Sequence, residues 1–352
     1  MMFRKKDHLV GLDIGSSFIK VAELKSTGQG HVLNKFGMSR IKPGSIVEGR
    51  IADMQSLAND IKSLFKSQKI HEKNVAISTG GHSVVIKTIN TTTRPGKELH
   101  DTIYSEAEQY IPYDIDDVNI DYQVIGENEF SPEQLNVLLV AVKKDLVAEY
   151  IELIQLAGLD PKIIDVDTFA LQNAYEILPY QNTEQITLLV DVGASKMSLN
   201  ILKANTSLMV RDNMSGTNQL LEEISNQAGI SIEEAEQVLN GEKKDVGRKD
   251  MIRSVCLKVA QLWCSEIFEV VNAFQSSTNS GKVEKIVLSG GGVFVEGFKD
   301  CILSELEADV SIINPFEGLI VNEKKFSNSF ITKAAPQAPI AIGLALRRID
   351  DK

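Results

Sequence analysis

Val10 to Leu24 reads VGLDIGSSFIKVAEL: an apolar strand, a turn through Asp13-Ile14-Gly15-Ser16-Ser17, and a second β-rich run. A carboxylate, a glycine free to take unusual dihedrals and two hydroxyls meet in that turn. Backbone N–H groups and hydroxyls so arranged can approach a phosphate closely. Lys20 supplies a cation two alternations beyond the turn. The plainer alternative is a tight hairpin with an Asp-capped turn. A second copy in the same apolar frame, Asp191-Val192-Gly193-Ala194-Ser195-Lys196, favours the phosphate reading.

The chain around these hairpins has 352 residues, more than one ordinary core accommodates, so two or more lobes are expected. Hydrophobic residues make up 43% and charged residues 24%, the balance of a soluble globular protein. A net charge of −11 excludes non-specific nucleic-acid binding, which needs surplus Lys and Arg to displace counterions. The basic patch Arg4-Lys5-Lys6 is too short to anchor the chain to anionic lipid by itself. No run approaches the ~20 apolar residues of a membrane span, and MMFRKKDHLVGLD turns polar before a signal-peptide core could form. Cys256, Cys264 and Cys301 lack metal-like spacing and read as reduced thiols in or near a core.

The motifs fall on strands, helices and turns along the chain. Gly30–Ser39 extends the opening meander, and Leu57, Ile61, Leu64 and Phe65 mark a helix face. Asn74–Thr79 is a buried strand ended by Gly80-Gly81. Residues 84–162 then read strand, helix, strand, strand, helix, a compact α+β unit inserted into a larger fold. Thr168–Leu178 is a helix. Met251–Ser277 is the longest helical pattern, its Trp263 and Phe274 belonging to a core stripe. Lys285–Leu288 is a buried strand running into Ser289-Gly290-Gly291-Gly292, and Pro339–Arg348 a small-residue final helix. Two Asp hairpins and one glycine turn, one hairpin per half, would face each other across a cleft. Gly290, Gly291 and Gly292 would admit an adenine or α-phosphate where a Cβ would clash. Asp13 and Asp191 would flank a hydrated Mg²⁺, which prefers oxygen ligands and keeps several waters.

The ordered segments DIGSSFIKVAEL, IPYDIDDVNIDYQV, AGLDPKIIDVDTFAL, LLVDVGASKMSLNIL and IVLSGGGVFVEGF resemble the PilM family, cytoplasmic actin-like proteins of type IV pilus assembly related to FtsA. The resemblance covers nearly the whole chain. It implies an α/β, actin-like (ribonuclease H-like) two-lobed ATPase fold with an inserted α+β subdomain of SHS2 type. Its first lobe would take residues 1–83, 163–182 and 333–352, with the insertion at 84–162. The second lobe would take 183–215 and 284–332, with an outer subdomain at 216–283. The cleft would hold ATP or ADP with Mg²⁺. Gly15, Ser16, Ser17 and Lys20 match the first phosphate loop and Asp13 its metal-side carboxylate. Asp191, Gly193 and Ser195 match the second loop, and Gly290, Gly291 and Gly292 the adenosine loop. Glu223 and Glu236 resemble positions that reach ribose or adenine, with a solvated acidic face as the alternative.

The implied partner is a PilN-like membrane protein, whose cytoplasmic N-terminal peptide would lie in a groove near Val84–Thr88 and Glu106–Pro112. Other pilus assembly proteins are further candidate partners. The chain would then sit in the cytoplasm, held to the face of the inner membrane indirectly. For hydrolysis the local candidate is Gln172, which could orient the attacking water; Asp165 and Asp167 read more simply as helix caps. Slow or absent turnover is expected. A sugar-kinase-type phosphotransferase and an FtsA-like polymer-forming division protein are the competing readings.

Overall fold

The computed structural model describes residues 8–47, 49–81, 83–92, 97–128, 131, 133–239, 248–277 and 281–350. The Arg4-Lys5-Lys6 patch and residues 240–247 lie outside them. No helix among the described residues is long and apolar enough to cross a membrane.

The opening hairpin is β1 (Val10–Ile14) and β2 (Phe18–Thr27), extended by β3 (Gly30–Arg40). A two-residue ladder, β4 (Ile46–Val47) with β5 (Arg50–Ile51), precedes α1 (Met54–Ser67). The expected stripe Leu57, Ile61, Leu64 and Phe65 is the buried face of α1, and Asp53 caps its start by accepting from Ser56 N at 3.1 Å. The buried strand β6 (Asn74–Thr79) runs parallel to β1.

The inserted sheet follows: β7 (Val84–Thr92), α2 (Lys97–Ala107), β8 (Val118–Glu127) and β9 (Gln134–Lys143). Its order is β7-β9-β8, all antiparallel, over a core of its own containing Ile89, Ile103, Val137 and Leu139. The next helix, α3 (Lys144–Leu156), was expected inside this unit. Its buried residues Leu146, Tyr150, Leu153 and Ile154 instead join α1, β1 and β6 in the first-lobe core. The last member of the inserted unit's own core is Ala141 on β9, short of residue 162. Strand β10 (Asp160–Val166) then completes the first sheet, β10-β6-β1-β2-β3.

After α4 (Asp167–Glu176) the pattern repeats. Strands β11 (Thr187–Val192), β12 (Met197–Lys203) and β13 (Thr206–Asn213) form the second meander. Helices α5 (Thr217–Ala228), α6 (Ile232–Leu239) and α7 (Lys249–Ser277) lead to β14 (Lys285–Ser289), α8 (Phe298–Glu305) and β15 (Asp309–Ile312). The second sheet, β15-β14-β11-β12-β13, matches the first strand for strand, with β11 parallel to β14 and antiparallel to β12. Trp263 is fully buried in this lobe and meets Phe298 edge-on at 5.4 Å.

The chain returns to the first lobe earlier than residue 333. Ile320 bridges in parallel to Val32 beside β3, and Phe316 and Phe326 pack with Phe36, Leu33 and Leu24. Short α9 (Asn328–Ala334) continues this layer into α10 (Pro339–Leu346). The sequence of α10, PIAIGLAL, is apolar on every side, as a helix buried all round must be. It lies against β1 and α4, while the other side of α4 sends Leu171 and Tyr175, and the turn after it Leu178, onto the second sheet. Two helices thus separate two like sheets.

Candidate functional site

The two hairpins meet tip to tip where the sheets face each other. Each turn closes the same way: Gly15 N donates to Phe18 O at 3.0 Å, and Gly193 N to Lys196 O at 2.9 Å. The hydroxyls of Ser16 and Ser195 lie 2.6 Å apart, joining the lobes. Around this contact is a cavity of about 280 Å³. Asp13, Gly15, Ser16, Ser17, Lys20, Asp191, Gly193, Ser195, Glu236, Gly290 and Gly291 all line it.

Strand register sets the charges. Asp13 stands opposite Lys20 in the β1–β2 ladder, and Lys20 Nζ donates to Asp13 Oδ2 at 2.7 Å. Burial nevertheless lifts the Asp13 carboxyl above its ordinary range, only partly opposed by Lys20. Asp191 lies beside Ser289 of β14, whose hydroxyl donates to Oδ1 at 2.6 Å. Burial raises its pKa too, ahead of the lowering effects of Ser289 and Lys20. Both shifts come chiefly from loss of water around the carboxylates, so each charged form is costly in the cavity and gains from a cation placed beside it.

Gln172, Glu223 and Gly292 do not line the cavity. Gln172 is turned away from the cleft: its Oε1 accepts from Asn200 Nδ2 at 3.1 Å and Ser207 Oγ at 2.8 Å, and its Nε2 donates to Glu176 and to Asn205 O. Every polar atom of that amide is engaged in fastening α4 to the second sheet, so it is not the water-orienting group. Gln172→Ala should cost about 1–3 kcal/mol, because Asn200 and Ser207 lose a buried partner; nucleotide affinity should stay at the wild-type value in a binding titration. Glu223 does not line the cavity; it lies on the outer surface of α5, bonded to Gln227 at 2.8 Å and Lys258 at 3.3 Å. Gly292 is beneath the cavity wall, where a Cβ would strike the Val192 side chain. Gly290, at φ +84°, would strike the Val192 carbonyl. Both glycines are required by packing against the end of β11, while Gly291 has open space at its Cα.

Glu236 reaches the cavity mouth and pairs there with Arg40, a contact between α6 and the end of β3. Asp165 accepts from Val166 N at 2.7 Å and holds Arg347 at 3.0 Å, while the start of α4 has no side-chain cap hydrogen bond. Asp167 instead enters the cavity, 2.7 Å from Lys196 Nζ. Burial alone would raise its pKa, but the charge and hydrogen bond of Lys196 outweigh that and hold it below the ordinary value. Lys196 in turn is held above the ordinary lysine value: Asp167 and Asp212 outweigh the burial that would lower it. Lys196 and Asp167 were both visible, in DVGASK and IIDVD, yet their meeting depends on how the lobes dock. The cysteines are free, with Cys256 and Cys264 buried and Cys301 half-buried.

Comparison with solved structures agrees with the duplicated fold. A chain of a PilM-PilN type IV pilus biogenesis complex matches with a TM-score of 0.86 at 25% identity, covering 98% of this chain and 99% of that one. The ethanolamine utilization protein EutJ from Carboxydothermus hydrogenoformans matches at 0.55 with 14% identity, covering 96% of this chain and 89% of its own. A diol dehydratase-reactivating factor matches at 0.56 with 9% identity, covering 96% and 99%. The last two share the actin-like fold alone. The family model described as type IV pilus assembly protein PilM matches residues 11–349. Nearly the whole chain, hairpins and glycine turn included, therefore belongs to the PilM family of type IV pilus assembly proteins.

Proposed function

We propose that this chain is an ATP-binding adaptor of the pilus assembly platform, holding Mg-ATP between its lobes and the cytoplasmic N-terminal peptide of a PilN-like membrane protein on its first lobe. The observation that carries the nucleotide half is the meeting of two phosphate-type hairpins, Ser16 on Ser195, in a cavity walled by backbone and charged groups.

The donor set fits the ligand. The carboxylates of Asp13, Asp167 and Asp191, which line the cavity, together with Asp212 behind Lys196, outnumber the ammoniums of Lys20 and Lys196 by two. One divalent cation balances that surplus, with Asp13 and Asp191 as its protein-side carboxylates through water. Bound there, Mg²⁺ would neutralise phosphate charge. The hairpin N–H groups, Ser16, Ser17 and Ser195 would take phosphate oxygens, replacing the Ser16–Ser195 hydrogen bond. Gly291 leaves room for the adenosine, and Glu236 stands at the mouth.

Turnover on this site is slow. A general base works best with a pKa near the ambient pH. Of the two first-lobe carboxylates in the cavity, Asp167 is held below its ordinary range by Lys196 and Asp13 is engaged by Lys20 at 2.7 Å, and Gln172 is bonded elsewhere. The peptide half is supported by family membership and by the PilN-bound relative. Strand β7 also makes ladder bonds on one side only, to β9, among the described residues. Its free edge lies in the expected groove region, where an extended peptide can pair. Attachment to the membrane face would then be indirect, through the partner. A melt with and without Mg-ATP tests the nucleotide half: the midpoint should rise with ligand, and an unchanged midpoint rejects it.

A further inference from the structure

Lys20 and Lys196 both face the cavity, but their partners differ. Lys20 is satisfied by Asp13 on its own hairpin at 2.7 Å. Lys196 leaves the second lobe to reach Asp167 of the first, also at 2.7 Å, and holds Asp212 of its own lobe only loosely at 3.5 Å. Asp212 in turn accepts from Gly81 N at 2.8 Å, a further link across the lobes. Its other oxygen, Oδ1, is buried without a hydrogen-bond partner. The ammonium lies directly over Gly80, where any Cβ would collide with it and would come within 2.7 Å of Asp167 Oδ2. Gly80, Gly81, Asp167 and Lys196 line the same cavity as the Ser16 and Ser195 tips.

We propose that Lys196 is a shared cation, claimed by Asp167 across the lobe junction and by the phosphates of a nucleotide entering between the hairpin tips. The proposal rests on the nucleotide reading above. A lysine is a compact point charge on a flexible stem, so it can change partners without moving the backbone. Phosphate competing with Asp167 loosens a cross-lobe ion pair, and linkage makes the effect reciprocal: the grip of Asp167 on Lys196 weakens nucleotide binding. Lys196 is then the positioning residue through which cleft occupancy is felt at the lobe junction.

Calorimetric titration with Mg-ATP tests this on the full chain, with circular dichroism confirming that each variant is folded. Lys196→Gln should bind about tenfold more weakly, the loss of one charge-assisted hydrogen bond. Asp167→Asn should bind severalfold more tightly, although its ligand-free melting point falls because a cross-lobe pair is broken. In Lys196→Gln/Asp167→Asn, which leaves neither charge unpaired with the other, the Asp167 change should no longer tighten binding. A structural bracket alone predicts that Asp167→Asn weakens binding or leaves it unchanged, and either result overturns the proposal. Equal tightening with and without Lys196 also overturns it, since Asp167 would then act on phosphate directly. Absence of Mg-ATP binding by the wild-type chain overturns the nucleotide reading itself, an outcome distinct from the other two.

Discussion

Gly343→Val should prevent the chain from keeping its two lobes together. Gly343 is the point at which α10 touches α4, and any Cβ there would fall on the carbonyl oxygen of Ala170. Gly11 of β1 stands on the neighbouring side of α10, where a Cβ would strike the Ala341 carbonyl and lie 2.5 Å from Ala345 N. The obstacle in both places is backbone in packed elements, which cannot swing aside as a side-chain end can. Overpacking a core usually costs about 1–3 kcal/mol. Here the helix must lift off both α4 and the first sheet, so the cost should exceed that range. Folded domains hold only about 5–15 kcal/mol in all. A denaturant melt should show Gly343→Ala strongly destabilised and Gly343→Val largely unfolded. Gly28→Ala, with nothing within 4 Å of the new methyl, should melt with wild type. A Gly343→Val chain as stable as wild type would contradict the packing of α10 between the lobes.

Asp13→Ala and Asp191→Ala should each abolish stabilisation by Mg-ATP. A ligand at about a hundredfold its dissociation constant stabilises by about 2.7 kcal/mol, which displaces a thermal midpoint by several degrees in a domain of this size. Each substitution removes one of the two carboxylates expected to face the cation. The ligand-free proteins should remain folded. Burial already raises the pKa of both carboxyls, so each charged form is destabilised by its surroundings. Asp13→Ala has the additional effect of leaving Lys20 without its 2.7 Å partner. A variant that still shifts with Mg-ATP as wild type does would remove that aspartate from the site.

The hairpin stretch was readable because its signals are local. Alternation, a glycine turn and a repeated Asp together specify strand, turn and strand, and the structure pairs Asp13 with Lys20 across one ladder. The small residues of the last stretch likewise read as a closely packing final helix, and the structure buries α10 against β1 and α4. What sequence could not supply is which surfaces meet. The stripe on α3 shows that the helix buries one face, but not that its partner is the first-lobe core instead of the inserted sheet. Asp167 and Gln172 are five residues apart on α4. At 3.6 residues per turn, they point about 140° apart. Placing Asp167 in the cleft therefore sends Gln172 toward Asn200 and Ser207 on the second sheet. In the glycine turn, Gly290 and Gly292 clear Val192, and Gly291 alone of the three has open space around it, a packing distinction that the run of glycines does not reveal. Lys196 stood in plain view in DVGASK, but its partner Asp167 lies in the other lobe.

The adaptor role requires the nucleotide-holding chain to capture a partner peptide. The direct measurement is a fluorescence titration in Mg-ATP with a labelled peptide copying the cytoplasmic N-terminus of a PilN-like protein from the same cell. Saturable one-to-one binding, weakened by substitutions along residues 84–92 and 106–112, is the predicted result. A folded protein that binds Mg-ATP and leaves this peptide free at every concentration would contradict the adaptor role.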